Sequence, residues 1–222
     1  MLILAFDAST PVVSVAVARQ EDDEREVLTE VVVTSRGASE ALLPAAHAAL
    51  DFAGEGLEDV ERILVGVGPG TFTGIRIAAS TARALSLGAG TALSGNSTLA
   101  ALSAPALAGG HPDVLAVLDA KRGEVFAQRY TGEESGNIFC AGPGELRFEG
   151  SPLLIGDGAI RYREVLSGTG HIPPDGSPVH RVTATGHVLS ADLAPVAAGD
   201  LVPIYVREPD AEVRKDLNPW SR

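Results

Sequence analysis

Residues 2–18 read L-I-L-A-F-D-A-S-T-P-V-V-S-V-A-V-A. An apolar run ends at Asp7, a polar turn follows, and a β-rich segment begins at Val12, as expected for a buried strand joined to its neighbour by a tight turn. Residues 114–130 read V-L-A-V-L-D-A-K-R-G-E-V-F-A-Q-R-Y and repeat that order, with the Asp-Ala pair 112 residues further on. The repeat predicts an α/β protein of two related lobes, each a mixed sheet flanked by helices, although two short hairpins can also match by chance.

The segments between the two hairpins alternate between strands and helices. A third strand would complete an antiparallel meander, and a helix is expected over residues 39–53, where Pro44 should remove a hydrogen bond or cause a kink. The clearest boundary signal is G-G-H-P-D at residues 109–113. It divides the chain into an N-terminal lobe, residues 1–108, with the candidate phosphate loops and pairing helices, and a C-terminal lobe and tail, residues 109–222.

A second distinctive stretch, V-G-V-G-P-G-T-F-T-G-I-R at residues 65–76, joins a predicted strand to a predicted helix. We call residues 66–74 the glycine loop. A glycine-rich turn before a helix offers backbone N–H groups and the positive end of the helix dipole to an anion. It is not a Walker loop, because no Lys follows the final glycine, and it lacks the third glycine of G-x-G-x-x-G. A tight turn without a ligand is an equally open interpretation. The candidate phosphate-binding residues are Gly68, Gly70, Thr71, Thr73 and Gly74.

The turn after the first strand holds a second candidate phosphate site. Asp7 ends a buried strand and is followed by Ser9 and Thr10, an arrangement typical of Mg²⁺–phosphate binding at the carboxyl end of a strand. The alternative is that the hydroxyl groups hydrogen-bond to the turn backbone.

In the second hairpin, the segment D-A-K-R-G-E is more simply interpreted as a charged turn, although its polar side chains could line a cleft between the lobes. These are Asp119, Lys121, Arg122 and Glu124.

Individual residues also mark where helices start and end. Thr73 is expected to cap the helix after the glycine loop and Gly88 to terminate it, while Ser97 should cap the next helix. Later helices are expected over residues 159–166 and, weakly, over residues 190–198.

Composition and residue patterns exclude several classes of function. The five histidines include no pair at i, i+4, the single Cys140 excludes an intrachain disulfide, and no Ser lies in a G-x-S-x-G elbow, so neither a metal site nor a nucleophile is indicated. A formal net charge of -12 disfavours independent binding to nucleic acid. No apolar run approaches the roughly 20 residues that span a bilayer, and the N-terminus lacks a signal-peptide core. We therefore expect a cytoplasmic protein without membrane contact.

Four segments between residues 2 and 211 resemble the TsaB family, formerly called YeaZ, of the bacterial tRNA threonylcarbamoyladenosine pathway. In chain order they are I-L-A-F-D-A-S-T, G-P-G-T-F-T-G-I-R-I, D-A-K-R-G-E-V-F and P-I-Y-V-R-E-P-D-A. The second is specific to this family. The resemblance implies a two-lobed, actin-like and sugar-kinase-like (ASKHA) fold. It also implies a role in placing a threonylcarbamoyl group on N6 of the adenosine beside the anticodon.

The resemblance further implies a non-catalytic scaffold, a silent paralogue of the transferase TsaD. The expected partners are TsaD in a heterodimer, the ATPase TsaE in a ternary complex, and a second copy when the chain is alone, with tRNA reached only through the complex. No cofactor would be required by this chain, and ATP or ADP would bind weakly or only in the complex. The TsaD group binds its metal through a histidine pair on the helix corresponding to the first helix here. Ala38 stands where TsaB relatives often keep a His.

The resemblance also implies that the first helix and the helix after the glycine loop form the pairing surface, with an apolar centre and a polar rim. We expect charged substitutions at Leu43 and Ala46 to break pairing and to leave the monomer folded. The interface candidates are Ser39, Leu42, Leu43, Ala46, Arg76, Ser80 and Arg83.

Two other functions stay open at this point. One is a nucleotide-dependent ATPase or phosphotransferase of the same fold, for which G-D-G at residues 156–158 is thin support. The other is the glycoprotease label once attached to the superfamily, which would need metal ligands or a nucleophile.

Overall fold

A computed structural model describes residues 1–34, 37–132 and 134–206. The last part of the P-I-Y-V-R-E-P-D-A segment, residues 207–211, lies outside these ranges. Within them, the chain forms two five-stranded sheets with helices on their faces.

The first sheet has the strand order β3-β2-β1-β4-β5. Its central strand β1 pairs antiparallel with β2 and parallel with β4, and β4 pairs parallel with β5. The elements of this half are β1 (Leu2–Asp7), β2 (Val12–Glu21), β3 (Glu24–Thr34), α1 (Ala38–Ala53), a 3-10 turn (Leu57–Asp59), β4 (Arg62–Gly66), α2 (Phe72–Ala89), β5 (Ala92–Asn96) and α3 (Thr98–Ala108).

The second sheet repeats this arrangement around β6, which pairs antiparallel with β7 and parallel with β10; β8 and β9 both pair with β7. The predicted α/β architecture of two lobes, each a mixed sheet flanked by helices, is thereby confirmed. The elements of this half are β6 (Asp113–Lys121), β7 (Glu124–Thr131), β8 (Glu134–Ser135), β9 (Phe139–Ala141), a 3-10 turn (Pro143–Glu145), β10 (Leu153–Ile155), α4 (Asp157–Arg161), α5 (Arg163–Leu166), a 3-10 turn (Pro178–His180) and α6 (Ala184–Ser190).

Both faces of the first sheet are buried, which explains the continuous apolar run in β1. Alternate side chains of a strand point to opposite faces. Leu4 and Phe6 accordingly pack in the core beneath α1 and α2, and Ile3 and Ala5 pack on the other face against α6. In the second sheet α3 covers one face, while α4 and α5 cover the other.

Two helices lie on the sheet of the other half of the chain. α3 packs on the second sheet, and α6 packs on the first. The chain beyond α6 also returns to the first sheet, where the N–H of Val196 donates to the carbonyl of Leu93 at 2.8 Å and Leu201 is buried in the core. The strands divide between the sheets on either side of residues 109–112. A domain division after residue 108 stays a prediction.

Two predicted ends of α2 are wrong. The helix begins at Phe72 after Thr71, rather than after Thr73. It continues through Gly88 to Ala89 and is capped by Gly90, which adopts the left-handed conformation with φ of 70° that favours glycine. Ser97 does cap α3, because its hydroxyl accepts from the N–H of Ala100 at 3.5 Å. Pro44 lies inside α1 without ending it.

The helix predicted over residues 190–198 is also wrong, because α6 occupies Ala184–Ser190 instead. The hydroxyl of Thr183 caps it by accepting from the N–H of Gly186 at 3.1 Å. A Cβ at position 186 would lie 2.1 Å from the carbonyl oxygen of Ala101 on α3, so this glycine permits the close approach of the two helices. Gly and Thr give this short segment a weak helix propensity, so its sequence did not indicate a helix. Across the described ranges, no helix combines the length and apolarity needed to cross a membrane.

Candidate functional site

The glycine loop and the turn after β1 lie directly against one another. The N–H of Thr71 donates to the carbonyl of Ser9 at 2.6 Å. A Cβ at Gly70 would lie 2.4 Å from that same carbonyl oxygen, and one at Gly74 would lie 1.9 Å from the carbonyl oxygen of Ala8. The glycines therefore allow two backbone segments to pack without side chains between them. Gly68, which is buried, adopts a φ of 97° and is followed by a cis peptide bond to Pro69.

Asp7 lies beneath this junction, and the acceptor positions of its carboxylate are occupied by hydrogen-bond donors of the same chain. Oδ1 accepts from the backbone N–H and the hydroxyl of Ser9, both at 2.7 Å. Oδ2 accepts from the Thr98 hydroxyl at 3.2 Å and contacts Nε2 of His187 at 2.9 Å. A carboxylate has about four acceptor positions, so these four contacts saturate it. Asp7 is 1% exposed and His187 is fully buried.

His187 was missed by sequence reasoning, which considered histidines only as metal ligands. It lies on α6, and its Nδ1 is 3.2 Å from the side-chain nitrogen of Asn96, which also donates to the Ser190 hydroxyl at 2.7 Å. With Nδ1 accepting from this amide, Nε2–H donates to Asp7. No local pattern links position 187 to position 7, because the contact joins residues 180 positions apart.

The pKa of Asp7 reflects this network. Burial alone would raise the pKa of the carboxyl group, but hydrogen bonds from His187 and Ser9 and the electrostatic effect of His187 outweigh burial. The pKa of Asp7 therefore lies below its ordinary value of 3.8.

Of the remaining candidate phosphate residues, Thr10, Gly70, Thr71 and Thr73 lie nearer to solvent than Asp7, whereas Ser9, Gly68 and Gly74 are buried. The hydroxyl of Thr10 contacts the backbone N and O of Val12 at 3.3 Å, as the Ser/Thr-turn interpretation predicted. An open cavity of about 460 Å³ separates this turn from the N-terminal ends of α1 and α2. Thr10, Thr71, Thr73 and Gly74 line it together with Ala38 and Ser39. Phosphate binding by these residues stays a prediction, and Asp7 does not reach the cavity.

The second hairpin forms a charged turn. The Asp119 carboxylate accepts from the backbone N–H of Lys121 at 2.9 Å and from its Nζ at 2.7 Å, and Arg161 lies at 3.5 Å. Burial would raise the pKa of Asp119, but these contacts hold it below its ordinary value. Asp157, at the start of α4, accepts from the N–H of Asp119 at 2.9 Å, and burial raises the pKa of Asp157.

A second cavity of about 210 Å³ lies between the lobes. Thr10, Pro11 and Val12 line it from the first lobe, and the second lobe contributes Leu118, Asp157, Ile160, Asp175, Ser177, His180, Arg181 and Val182. Neither this cavity nor any other part of the described ranges holds three or more His, Cys, Asp or Glu side chains placed for a metal ion.

The predicted pairing surface on α1 needs a correction. Leu42 and Ala46 are 1% and 5% exposed and belong to the core beneath the first sheet, so they cannot line an outer surface. They point inward because residues three and four apart share one face of a helix, and Ala45 and Ala49 continue this buried stripe. Ser39 and Leu43 lie on the outer face, where Leu43 is 53% exposed.

On α2 the predicted residues differ in their exposure. Arg76 and Ser80 are exposed. Arg83 is half-buried and donates to the carbonyl of Leu201 at 2.7 Å, so it holds the returning C-terminal segment in place.

An aromatic contact beside Arg76 was not foreseen. The guanidinium of Arg76 lies 3.6 Å from the centroid of the Phe72 ring, and its Nε donates to the Tyr205 hydroxyl at 3.2 Å. The Phe72 and Tyr205 rings are 6.0 Å apart between centroids. The i, i+4 spacing of Phe72 and Arg76 was the only signal in the sequence, since Tyr205 lies 129 positions from Arg76.

Known proteins resemble this chain in both sequence and structure. The family model of TsaD, tRNA N6-adenosine threonylcarbamoyltransferase, matches residues 31–140. A protein of Mycobacterium tuberculosis is 32% identical over 95% of this chain and 93% of its own length. The Escherichia coli tRNA threonylcarbamoyladenosine biosynthesis protein TsaB is 35% identical over 61% of this chain and 58% of its own length.

The solved structure of YeaZ from Pseudomonas aeruginosa superposes with a TM-score of 0.74 at 27% identity, covering 92% of this chain and 99% of that one. The likeness thus extends over both lobes and includes the segments around the glycine loop. On these grounds the chain belongs to the TsaB family, also known as YeaZ.

Proposed function

We propose that this chain is a non-catalytic scaffold subunit required for N6-threonylcarbamoylation of the tRNA adenosine next to the anticodon, and that it acts by pairing with the transferase TsaD. Relatives from Escherichia coli and Bacillus subtilis are named tRNA threonylcarbamoyladenosine biosynthesis protein TsaB. Membership of this family supports a role in the same biosynthesis. The finer assignment is supported by the geometry of Asp7 and of the α1–α2 surface.

The saturated carboxylate of Asp7 is the observation that carries the non-catalytic assignment. A metal–phosphate complex at the end of a strand needs carboxylate oxygens that are open to it. Here Ser9, Thr98 and His187 take the acceptor positions, and the group is sealed from solvent. The glycine loop keeps its shape because its glycines pack against the neighbouring turn, which accounts for the loop without any ligand.

The outer surface of α1 and α2 supports the pairing assignment. Leu43, Phe72 and Leu87 are 53%, 50% and 88% exposed on these neighbouring helices. The exposure of large apolar side chains on two neighbouring helices supports a protein–protein interaction site there. In this scheme TsaE joins the pair, and tRNA is reached through the complex because a chain with net charge -12 repels the phosphate backbone.

The alternative is a nucleotide-binding ATPase or phosphotransferase of the same fold. Its binding site would be either the open cavity of about 460 Å³ beside the glycine loop or the cavity of about 210 Å³ between the lobes. Ligand pockets usually measure about 300–1,000 Å³, so the smaller cavity would not hold a nucleotide without an opening of the lobes. The larger cavity has sufficient volume, but the Asp7 carboxylate does not reach it to hold a metal–phosphate complex. The scaffold proposal is therefore preferred, with ATP or ADP bound in the complex rather than by this chain alone.

Reconstitution with TsaD of the same organism tests the proposal. The purified chains would be mixed, sized by light scattering, and assayed with TsaE for threonylcarbamoyl transfer to tRNA, alone and together. A mixed complex, with activity only when this chain and TsaD are both present, supports the scaffold role. Absence of a complex, or tRNA modification or ATP hydrolysis by this chain alone, would overturn it.

A further inference from the structure

Arg76 is held in a fixed position on the outer surface of α2. Its guanidinium stacks on Phe72 at 3.6 Å from the ring centroid, while the Tyr205 hydroxyl accepts from Nε at 3.2 Å. Phe72 is 50% exposed and Tyr205 44% exposed, so the cluster lies at the surface. A long side chain held by two contacts has already lost much of its rotamer freedom, which lowers the entropy cost of binding a partner.

Arg76 contacts an aromatic ring and a tyrosine hydroxyl, whereas most of the other arginines of the described chain contact carboxylates or backbone carbonyls. Four of them form ion pairs with carboxylates: Arg19 with Glu55, Arg129 with Asp113, Arg161 with Asp119 and Arg163 with Asp175. Arg25, Arg62 and Arg83 donate to backbone carbonyls. Within residues 1–34, 37–132 and 134–206, no carboxylate lies within 4 Å of the Arg76 guanidinium.

The chemistry of this group defines what it could bind. A guanidinium has five N–H donors in a planar fork that matches a carboxylate in two parallel hydrogen bonds. Tyr205 uses the Nε donor, and the two terminal NH₂ groups carry the remaining four. The exposed ring of Phe72, against which the guanidinium lies, would shield one face of such a contact from water.

We infer that Arg76 is a pre-oriented anchor that binds a carboxylate of the transferase subunit when the α1–α2 surface pairs with it. The inference rests on the proposed pairing and adds the residue and the chemistry of the contact. A different chain is favoured over a second copy, because two copies that each carry a net charge of -12 repel one another. Phe72 and Tyr205 are positioning residues, since they act through Arg76.

The affinity of the full-length chain for TsaD, measured by calorimetry, tests this assignment. Arg76→Gln should weaken binding by roughly 30-fold or more, because it leaves a partner carboxylate unpaired in the interface. Tyr205→Phe should cause a smaller loss, since the ring stays and only the hydrogen bond to Nε disappears. Arg147→Gln removes a charge from an exposed residue of the second lobe that lines neither cavity, and it is the matched control. Equal affinities for the wild-type chain and Arg76→Gln would overturn the inference.

A zero-length crosslink identifies the partner group. A carbodiimide joins a lysine amine to a carboxylate as an amide with loss of water, and this chain has lysines only at positions 121 and 215. In the Arg76→Lys variant mixed with TsaD, mass spectrometry should find position 76 joined to an Asp or Glu of TsaD. A crosslink to a second copy of this chain, or none from position 76, would overturn the assignment.

The two proposals fail in different ways. If the wild-type chain and TsaD form no complex, the proposed function itself is wrong. If they form a complex, but Arg76→Gln does not weaken it and Arg76→Lys gives no crosslink from position 76, only the assignment of Arg76 as an anchor is wrong. Circular dichroism and melting of each variant would show that the loss of binding is not a loss of folding.

Discussion

Asp7 and Asp119 occupy equivalent positions in the two sheets. Asp7 is the last residue of β1, and Asp119 lies two residues before the end of β6. Each of these strands pairs antiparallel with the next strand and parallel with a later one. Each carboxylate accepts from the backbone N–H two residues further on, Ser9 at 2.7 Å and Lys121 at 2.9 Å. The second partner differs, because Asp7 meets a buried histidine and Asp119 meets an exposed lysine. The turn is therefore closed to solvent in the first lobe, whereas in the second lobe the partner of the aspartate is exposed to solvent.

His187→Ala should destabilise the chain strongly. It leaves the buried carboxylate of Asp7 without one of its partners, and breaking a buried pair in this way costs about 3–5 kcal/mol. Urea unfolding measures the change in the free energy of unfolding. His47→Ala is the control, because the His47 side chain is 80% exposed and its loss should change stability by less than about 0.5 kcal/mol. Similar values for the two variants would show that the Asp7–His187 contact contributes little.

Acid should weaken the folded state through Asp7. Because the pKa of this group is lowered on folding, its contribution is present above the unfolded pKa of about 3.9 and is lost as the pH falls through the folded pKa. Asp119 has a lowered pKa as well and loses its contribution in the same direction. Urea unfolding between pH 6 and pH 3 should therefore show a fall in stability below pH 4 that is smaller in Asp7→Asn. An identical fall in both proteins would assign the acid sensitivity elsewhere.

Two glycines of α2 should respond oppositely to alanine. Gly74→Ala places a Cβ 1.9 Å from the carbonyl oxygen of Ala8, so backbone must move and stability should fall by about 1–3 kcal/mol. Gly88→Ala meets no atom within 4 Å and should stabilise the helix by about 0.5–1 kcal/mol. Melting temperatures of the two variants would check this. A neutral Gly74→Ala would mean that the contact with the turn after β1 is loose.

Leu43→Asp and Ala46→Asp should separate pairing from folding. Leu43 is exposed, so its charged variant should fold and lose affinity for TsaD by about tenfold or more. Ala46 is buried in the core, and an unpaired charge there should prevent folding at ordinary temperature. Circular dichroism and light scattering with TsaD distinguish the two effects. A Leu43→Asp chain that pairs normally would remove this surface from the interface.

The parts of this fold that depend on local sequence could be predicted, and the long-range contacts could not. Strand alternation, the Asp-Ala repeat and the Ser97 cap are set by neighbouring residues, and each agrees with the structure. The position of Leu42 and Ala46 was misjudged because a small-residue helix shows little contrast between its buried and exposed sides. His187 and Tyr205 became part of the site only through the return of the chain, which brings them to residues 180 and 129 positions away.

The exchange of helices between the two halves has a consequence for synthesis on the ribosome. The face of the first sheet that carries Ile3 and Leu64 is covered by α6, which is translated about 120 residues after β4. Until that helix emerges, the nascent N-terminal half carries an uncovered apolar surface and a carboxylate without its histidine. Aggregation or chaperone capture is the expected fate of chains that stall before residue 190, and the lobe that is made first acquires its complete core last.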